Sequence, residues 1–212
     1  MYRWEIMAAV AAARVVAIVR ERTEEVAARA VDVVVGAGLP VVEVTMTTPG
    51  ALRIVERLRD SSTLVGVGTA LSAGEVAAAA GAGARFVVTP NLSEDVIATA
   101  HRHGLAALVG CATPTEIVRA LEAGADAVKL FPASTFGLEH LKALHNTLPW
   151  APIVPTGGVT DANAADWIAA GGIAVGMGGG LTRGTEAEVR ARVSALRAAL
   201  TDARSYPLAA AR

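Results

Sequence analysis

Hydrophobic residues along this chain come in short, nearly unbroken runs, and longer polar-flecked segments fill the intervals between them. Eight runs have the length and composition of buried strands: Val15–Arg20, Val41–Met46, Leu64–Thr69, Phe86–Pro90, Ala106–Cys111, Ala127–Phe131, Ile153–Thr156 and Ala174–Gly178. Between them lie Ala-, Glu- and Arg-rich segments with helical spacing, such as Glu24–Gly36, Ala51–Asp60 and Ser72–Gly81. The punctuation agrees with that division. Gly36-Ala37-Gly38, Gly81-Ala82-Gly83, Gly124 and Gly171-Gly172 fall where a helix should stop before the next strand. Ser72 stands three residues before Glu75, and Thr113 three before Glu116, which is the spacing of a capping box.

Continuously apolar strands that alternate with helices predict a parallel sheet covered on its faces. Eight such units, with no linker and no break in composition, predict one closed (β/α)8 TIM barrel over residues 1–212. Residues 1–14 precede the first strand and are expected to add an N-terminal helix that caps the barrel. Residues 204–212 include Pro207 and show little periodicity, so a loosely ordered tail is expected there. A doubly wound open sheet is the rival architecture, but no GxGxxG follows the first strand.

Charge excludes several classes of function. The net charge is −1, from 20 acidic and 19 basic residues that are interspersed, so there is no electrostatic footprint for nucleic acid or an anionic membrane. No apolar run approaches the roughly 18 residues of a membrane span, and the Arg3-Trp4-Glu5 opening lacks the pattern of a signal peptide. One cysteine, Cys111, cannot form an internal disulfide, which makes a cytoplasmic setting the expectation; its own reading is a small buried residue. His101, His103, His140 and His145 have no partners at ligand spacing, so no metal is expected. Trp4, Trp150 and Trp167 are read as packing residues.

Candidate chemistry gathers at the strand ends, where barrels place their active sites. Lys129 is one of only two lysines, with Lys142, and it is set inside an apolar strand. A desolvated lysine can lose its proton and attack a ketone, which arginine cannot do. Glu43 is likewise enclosed, between Val42 and Val44. Burying either charge alone would be costly, so the two read either as a buried ion pair or as a nucleophilic amine with an acid/base partner. Arg20, at the end of the first strand, can grip a carboxylate bidentately or form a surface ion pair. Thr69 and Thr113 can offer hydroxyls, although threonine also suits strand ends. The runs Thr156-Gly157-Gly158 and Gly178-Gly179-Gly180 follow the seventh and eighth strands, where many barrels bind phosphate through backbone N–H groups.

Taken together, Val42-Glu43-Val44-Thr45-Met46-Thr47-Thr48-Pro49-Gly50, Gly66-Val67-Gly68-Thr69, Val128-Lys129-Leu130-Phe131-Pro132 and Pro155-Thr156-Gly157-Gly158 resemble the bacterial 2-keto-3-deoxy-6-phosphogluconate (KDPG) and 4-hydroxy-2-oxoglutarate (KHG) aldolases. The resemblance runs from Val15 to about Leu181. It implies a Schiff-base lyase of the Entner-Doudoroff type that needs neither metal nor cofactor, working as a homotrimer on small-molecule substrates that yield pyruvate. On the same resemblance Lys129 is the Schiff-base lysine and Glu43 the acid/base acting through a water. Thr69, Pro90, Thr113 and Phe131 line the pyruvyl pocket, and Gly157, Gly158, Gly178 and Gly179 form phosphate loops. Thr47 stands where one branch of the family carries the carboxylate-binding arginine, and Arg20 matches the arginine of a second branch. Gly179 stands where many relatives place a phosphate-bonding serine. KDPG is the expected substrate, with KHG, the galactonate epimer and unphosphorylated acids as alternatives. A phosphate-binding isomerase and a non-catalytic scaffold are further readings of the same barrel.

Overall fold

A computed structural model describes residues 1–203; the expected tail at 204–212 lies outside the described residues. The elements alternate as α1 (Arg3–Ala13), β1 (Val15–Val19), α2 (Glu24–Gly36), β2 (Val41–Thr45), α3 (Ala51–Leu58), β3 (Leu64–Gly68), α4 (Ala73–Ala82), β4 (Phe86–Val88) and α5 (Glu94–Arg102). They continue as β5 (Ala106–Cys111), α6 (Pro114–Glu122), β6 (Ala127–Leu130), α7 (Ala133–Thr147), β7 (Ile153–Pro155), α8 (Ala164–Ala169), β8 (Val175–Met177) and α9 (Glu186–Asp202). Every strand pair is parallel, in the order β7-β6-β5-β4-β3-β2-β1-β8, and an isolated parallel bridge between Thr156 and Gly176 brings β7 against β8. The result is a nearly closed (β/α)8 barrel.

The sequence signals that delimit the helices act as expected. Ser72 and Thr113 accept from the amides of Glu75 and Glu116, whose carboxylates bond back to them. Gly83 ends α4 in the left-handed conformation that L side chains avoid, with φ 99°. α3 stops two residues short of the expected Asp60.

Strand alternation sorts the apolar side chains into two cores. One lies between the strands and the surrounding helices, around Val42, Val44, Val87 and Val109. The other lies inside the barrel and joins Val16, Val41, Leu64, Phe86, Val88, Leu108, Ala127 and Val154 to Ile6 and Val10 of α1. The N-terminal helix therefore plugs the lower end of the barrel with the two side chains it buries. Arg3 locks it there, bonding Asp126 at 2.7 Å and His101 at 2.6 Å. Of the three tryptophans only Trp167 packs in the core. Trp4 is 69% exposed, because it lies on the outer side of the first turn of α1 and stacks on Tyr2 at 6.5 Å, and Trp150 is 61% exposed in the turn before β7.

Candidate active site

Two of the inward positions of the barrel carry charge among apolar neighbours. Glu43 in β2 and Lys129 in β6 point inward from the same level as the small residues Gly66 and Gly110, their neighbours across the sheet. Both are almost fully enclosed, at 2% and 5% exposure, yet no ion pair of 4.0 Å or less joins them among the described residues. Instead both line a cavity of about 10 Å³, room for about one water molecule, whose other walls include Val88, Val154, Thr156 and Gly176. The structure thus separates the two charges that could have formed a buried pair.

Burial sets the chemistry of each group. Desolvation pushes the Lys129 amine below its ordinary 10.5; Glu43 pulls it back up and Arg20 adds to the fall. Desolvation likewise pushes the Glu43 carboxyl above its ordinary 4.5, against the opposite pull of Lys129 and Arg20. An amine moved toward neutrality faces a carboxyl moved toward protonation, an arrangement that suits nucleophilic attack and proton transfer. The Lys129 Nζ lies 4.9 Å from the centroid of the Phe131 ring.

The remaining predicted residues fall into two groups. Arg20 lies just past the end of β1, exposed, and its Nη2 donates to Thr69 Oγ1 at 3.3 Å. Thr69 follows β3 with φ 58°, a left-handed backbone uncommon for a β-branched residue. These two form one side of the barrel mouth. Pro90 follows β4, and its carbonyl packs over Gly110, where a Cβ would come within 2.3 Å of the oxygen.

Three threonines have partners within the protein. Thr113 is exposed at the start of α6, and its hydroxyl donates to Glu116 and accepts from the Glu116 amide in the helix cap. Thr156 turns its side chain into the cavity and not toward the glycine loops, because the inward phase of β7 passes through Val154 to Thr156. Thr47 is exposed and pairs with Thr45 at 3.0 Å.

Gly157 and Gly158 take φ values of 91° and 79°, which turn the chain sharply over the barrel mouth. Gly178, Gly179 and Gly180 follow β8 in open space or beside Arg183. Cys111 points outward into the helix layer, and burial, helped by Glu116, pushes its thiol up to about 12. Among the described residues no group of three or more His, Cys, Asp or Glu side chains is placed to hold a metal ion, and no helix is long and apolar enough to cross a membrane.

An amine and a carboxyl buried apart inside a barrel, each with its pKa shifted by burial, mark a candidate functional site. The chain belongs to the KDPG and KHG aldolase family, whose family model matches residues 6–196. It is 40% identical over 172 residues to the 2-dehydro-3-deoxy-6-phosphogalactonate aldolase of Escherichia coli (strain K12), covering 79% of this chain and 84% of that one. It is 36% identical over 160 residues to the 2-dehydro-3-deoxy-phosphogluconate aldolase of Treponema pallidum (strain Nichols), covering 74% and 76%. A solved structure described as native KDPGal superimposes with a TM-score of 0.82 at 36% identity, covering 89% of this chain and 95% of that one. The protein is therefore an aldolase of this family, a lyase.

Proposed function

We propose that the protein is a Schiff-base aldolase that cleaves a 2-keto-3-deoxy-6-phosphoaldonate to pyruvate and glyceraldehyde 3-phosphate, without metal or cofactor. The observation that carries this is the separation of Lys129 and Glu43 across one small cavity, with the amine's pKa lowered by burial. The neutral Lys129 amine attacks the C2 ketone, and loss of water leaves a protonated imine. That cation is an electron sink. Glu43, through a water, takes the proton of the C4 hydroxyl; the C3–C4 bond breaks, and its electron pair flows to the imine as an enamine. The same relay returns a proton to C3, and hydrolysis of the imine frees pyruvate and Lys129.

Arg20 holds the substrate carboxylate with Thr69 beside it, while Phe131 and Pro90 line the pyruvyl end. The loops at Gly157, Gly158, Gly178 and Gly179 receive the phosphate at the far end. The galactonate epimer is the preferred substrate on this reading, supported by the 40% identity to a phosphogalactonate aldolase; the gluconate epimer is the second reading, supported by the 36% identity to a phosphogluconate aldolase. Family resemblance supports a homotrimer, which sedimentation equilibrium tests directly.

Borohydride reduction in the presence of pyruvate, followed by peptide mapping, tests the mechanism. An adduct on Lys129 is expected; a folded protein that gives no adduct, or one on Lys142 alone, overturns it. Comparing kcat/KM for the two C4 epimers then assigns the substrate, and equal values defeat the galactonate preference.

A further inference from the structure

The two glycine loops at the barrel mouth each have one polar side chain beside them. A Cβ placed on Gly158 would lie 2.3 Å from Ser134 Cβ and 2.6 Å from its Oγ, so the Ser134 side chain covers that glycine. A Cβ placed on Gly179 would lie 3.6 Å from Arg183 Nε and 3.7 Å from Nη2, so the Arg183 guanidinium occupies the flank of the second loop. Both residues are exposed. Neither the Ser134 hydroxyl nor the Arg183 guanidinium has a hydrogen-bond or ion-pair partner among the described residues. The N–H groups of Gly158, Gly179 and Gly180 also meet no acceptor there.

The backbone around Arg183 is not loose. Arg192 Nη1 donates to the Arg183 carbonyl at 2.8 Å and to that of Leu181 at 3.4 Å, and Leu181 N closes a turn on Gly178 O. The guanidinium is therefore carried on a segment tied to α9, with its donors free. Ser134 stands on the first turn of α7, and its own amide donates to Gly157 O at 2.9 Å, which fixes it to the other loop.

We infer that Arg183 and Ser134 are the side-chain ligands of the substrate phosphate, one from beside each glycine loop. This rests on the aldolase reading above for the identity of the phosphorylated ligand. The chemistry is direct. A dianion between two loops needs donors converging from both, and a guanidinium gives a charged, forked pair where glycine gives only its N–H.

Two measurements test this. In steady-state kinetics, Arg183→Ala should lower the ratio of kcat/KM for the phosphorylated to the unphosphorylated 2-keto-3-deoxy acid by about 10- to 100-fold, chiefly through KM, as expected for one charged hydrogen-bonding partner. Ser134→Ala should lower the same ratio by about 2- to 10-fold, and Arg183→Lys should recover part of the loss. In calorimetry, inorganic phosphate should bind the unreacted wild-type protein more tightly than it binds Arg183→Ala. This second readout needs no turnover, so it stands even if Lys129 gives no adduct with pyruvate. An unchanged ratio in Arg183→Ala, or wild-type affinity for phosphate in that variant, overturns the inference.

Discussion

The Glu43 carboxylate occupies the space that a side chain on Gly68 would fill: a Cβ there would lie 1.6 Å from Glu43 Oε1. Glu43 pairs in register with Gly66, one pleat below Gly68, so the carboxylate leans up its neighbouring strand toward the mouth of the barrel. Gly68→Ala must therefore displace the carboxylate without removing it. The expected outcome is a loss in kcat approaching the roughly 10²–10⁴-fold that a general acid/base group contributes, while pyruvate still forms a borohydride-trappable adduct on Lys129. Gly66→Ala makes the contrast. Its Cβ would meet the Phe86 ring and the Phe86 carbonyl oxygen at 2.5 Å, so it should cost about 1–3 kcal/mol of stability, read as a fall in Tm of about 2–4 °C per kcal/mol. If Gly68→Ala kept full turnover, the position assigned to Glu43 would be wrong.

The lowered pKa of Lys129 gives a pH dependence with a definite sign. Desolvation disfavours the ammonium, so the neutral, attacking amine is populated at pH values below the ordinary 10.5 of a lysine. The rate of adduct formation with pyruvate should rise with pH and reach half its maximum below pH 10.5. Initial trapping rates across pH 6–11 check it, and a midpoint at or above the ordinary value would contradict the burial of the amine.

Much of this arrangement was legible in the chain. The eight apolar runs located all the strands within one or two residues, because a strand buried on both faces must be apolar throughout and its ends are marked by Gly, Pro and capping residues. Lys129 and Glu43 stood out because a charge inside such a run has no cheap way to be buried. What the chain did not reveal is direction at the strand ends. Thr156 reads as a hydroxyl beside the glycine loop, yet strand phase turns it into the cavity, whereas the Thr113–Glu116 spacing already marked a helix cap. Ser134 and Arg183 carried no signal of their own, since their meeting with Gly158 and Gly179 depends on how α7 and the loop after β8 turn over the mouth. Trp4 faces outward for a similar reason: a large apolar residue in a first helical turn can face either way.

Arg20 acts on the site in two ways that one variant can separate. It lies at the mouth, bonded to Thr69, where it can hold a carboxylate, and its charge helps to lower the pKa of Lys129. Arg20→Ala should raise the KM for pyruvate by about 10- to 100-fold through loss of a charged, bidentate contact. It should also move the midpoint of the trapping profile toward higher pH, because the repulsion of the ammonium is gone. An unchanged KM would send the carboxylate elsewhere. A raised KM with an unmoved midpoint would keep the binding role and remove the electrostatic one.

Glu43→Gln tests the other half of the pair. Burial raises the carboxyl's pKa above 4.5, while Lys129 and Arg20 pull it down, so the carboxylate, the base of the proposed mechanism, appears as pH rises through a value above 4.5. Cleavage by the wild type should accordingly gain rate with pH along an acid limb whose midpoint lies above that of an ordinary glutamate. Glutamine keeps the shape but cannot take a proton, so the variant should still trap pyruvate on Lys129 while kcat for cleavage falls by about 10²–10⁴ and the acid limb disappears. Stopped-assay rates from pH 4 to 8, set beside adduct yields at the same pH values, distinguish this from a folding defect, which would lower both together. A variant that lost adduct formation in step with cleavage while keeping the wild-type Tm would place Glu43 in the attack of the amine and not in the breaking of the C3–C4 bond.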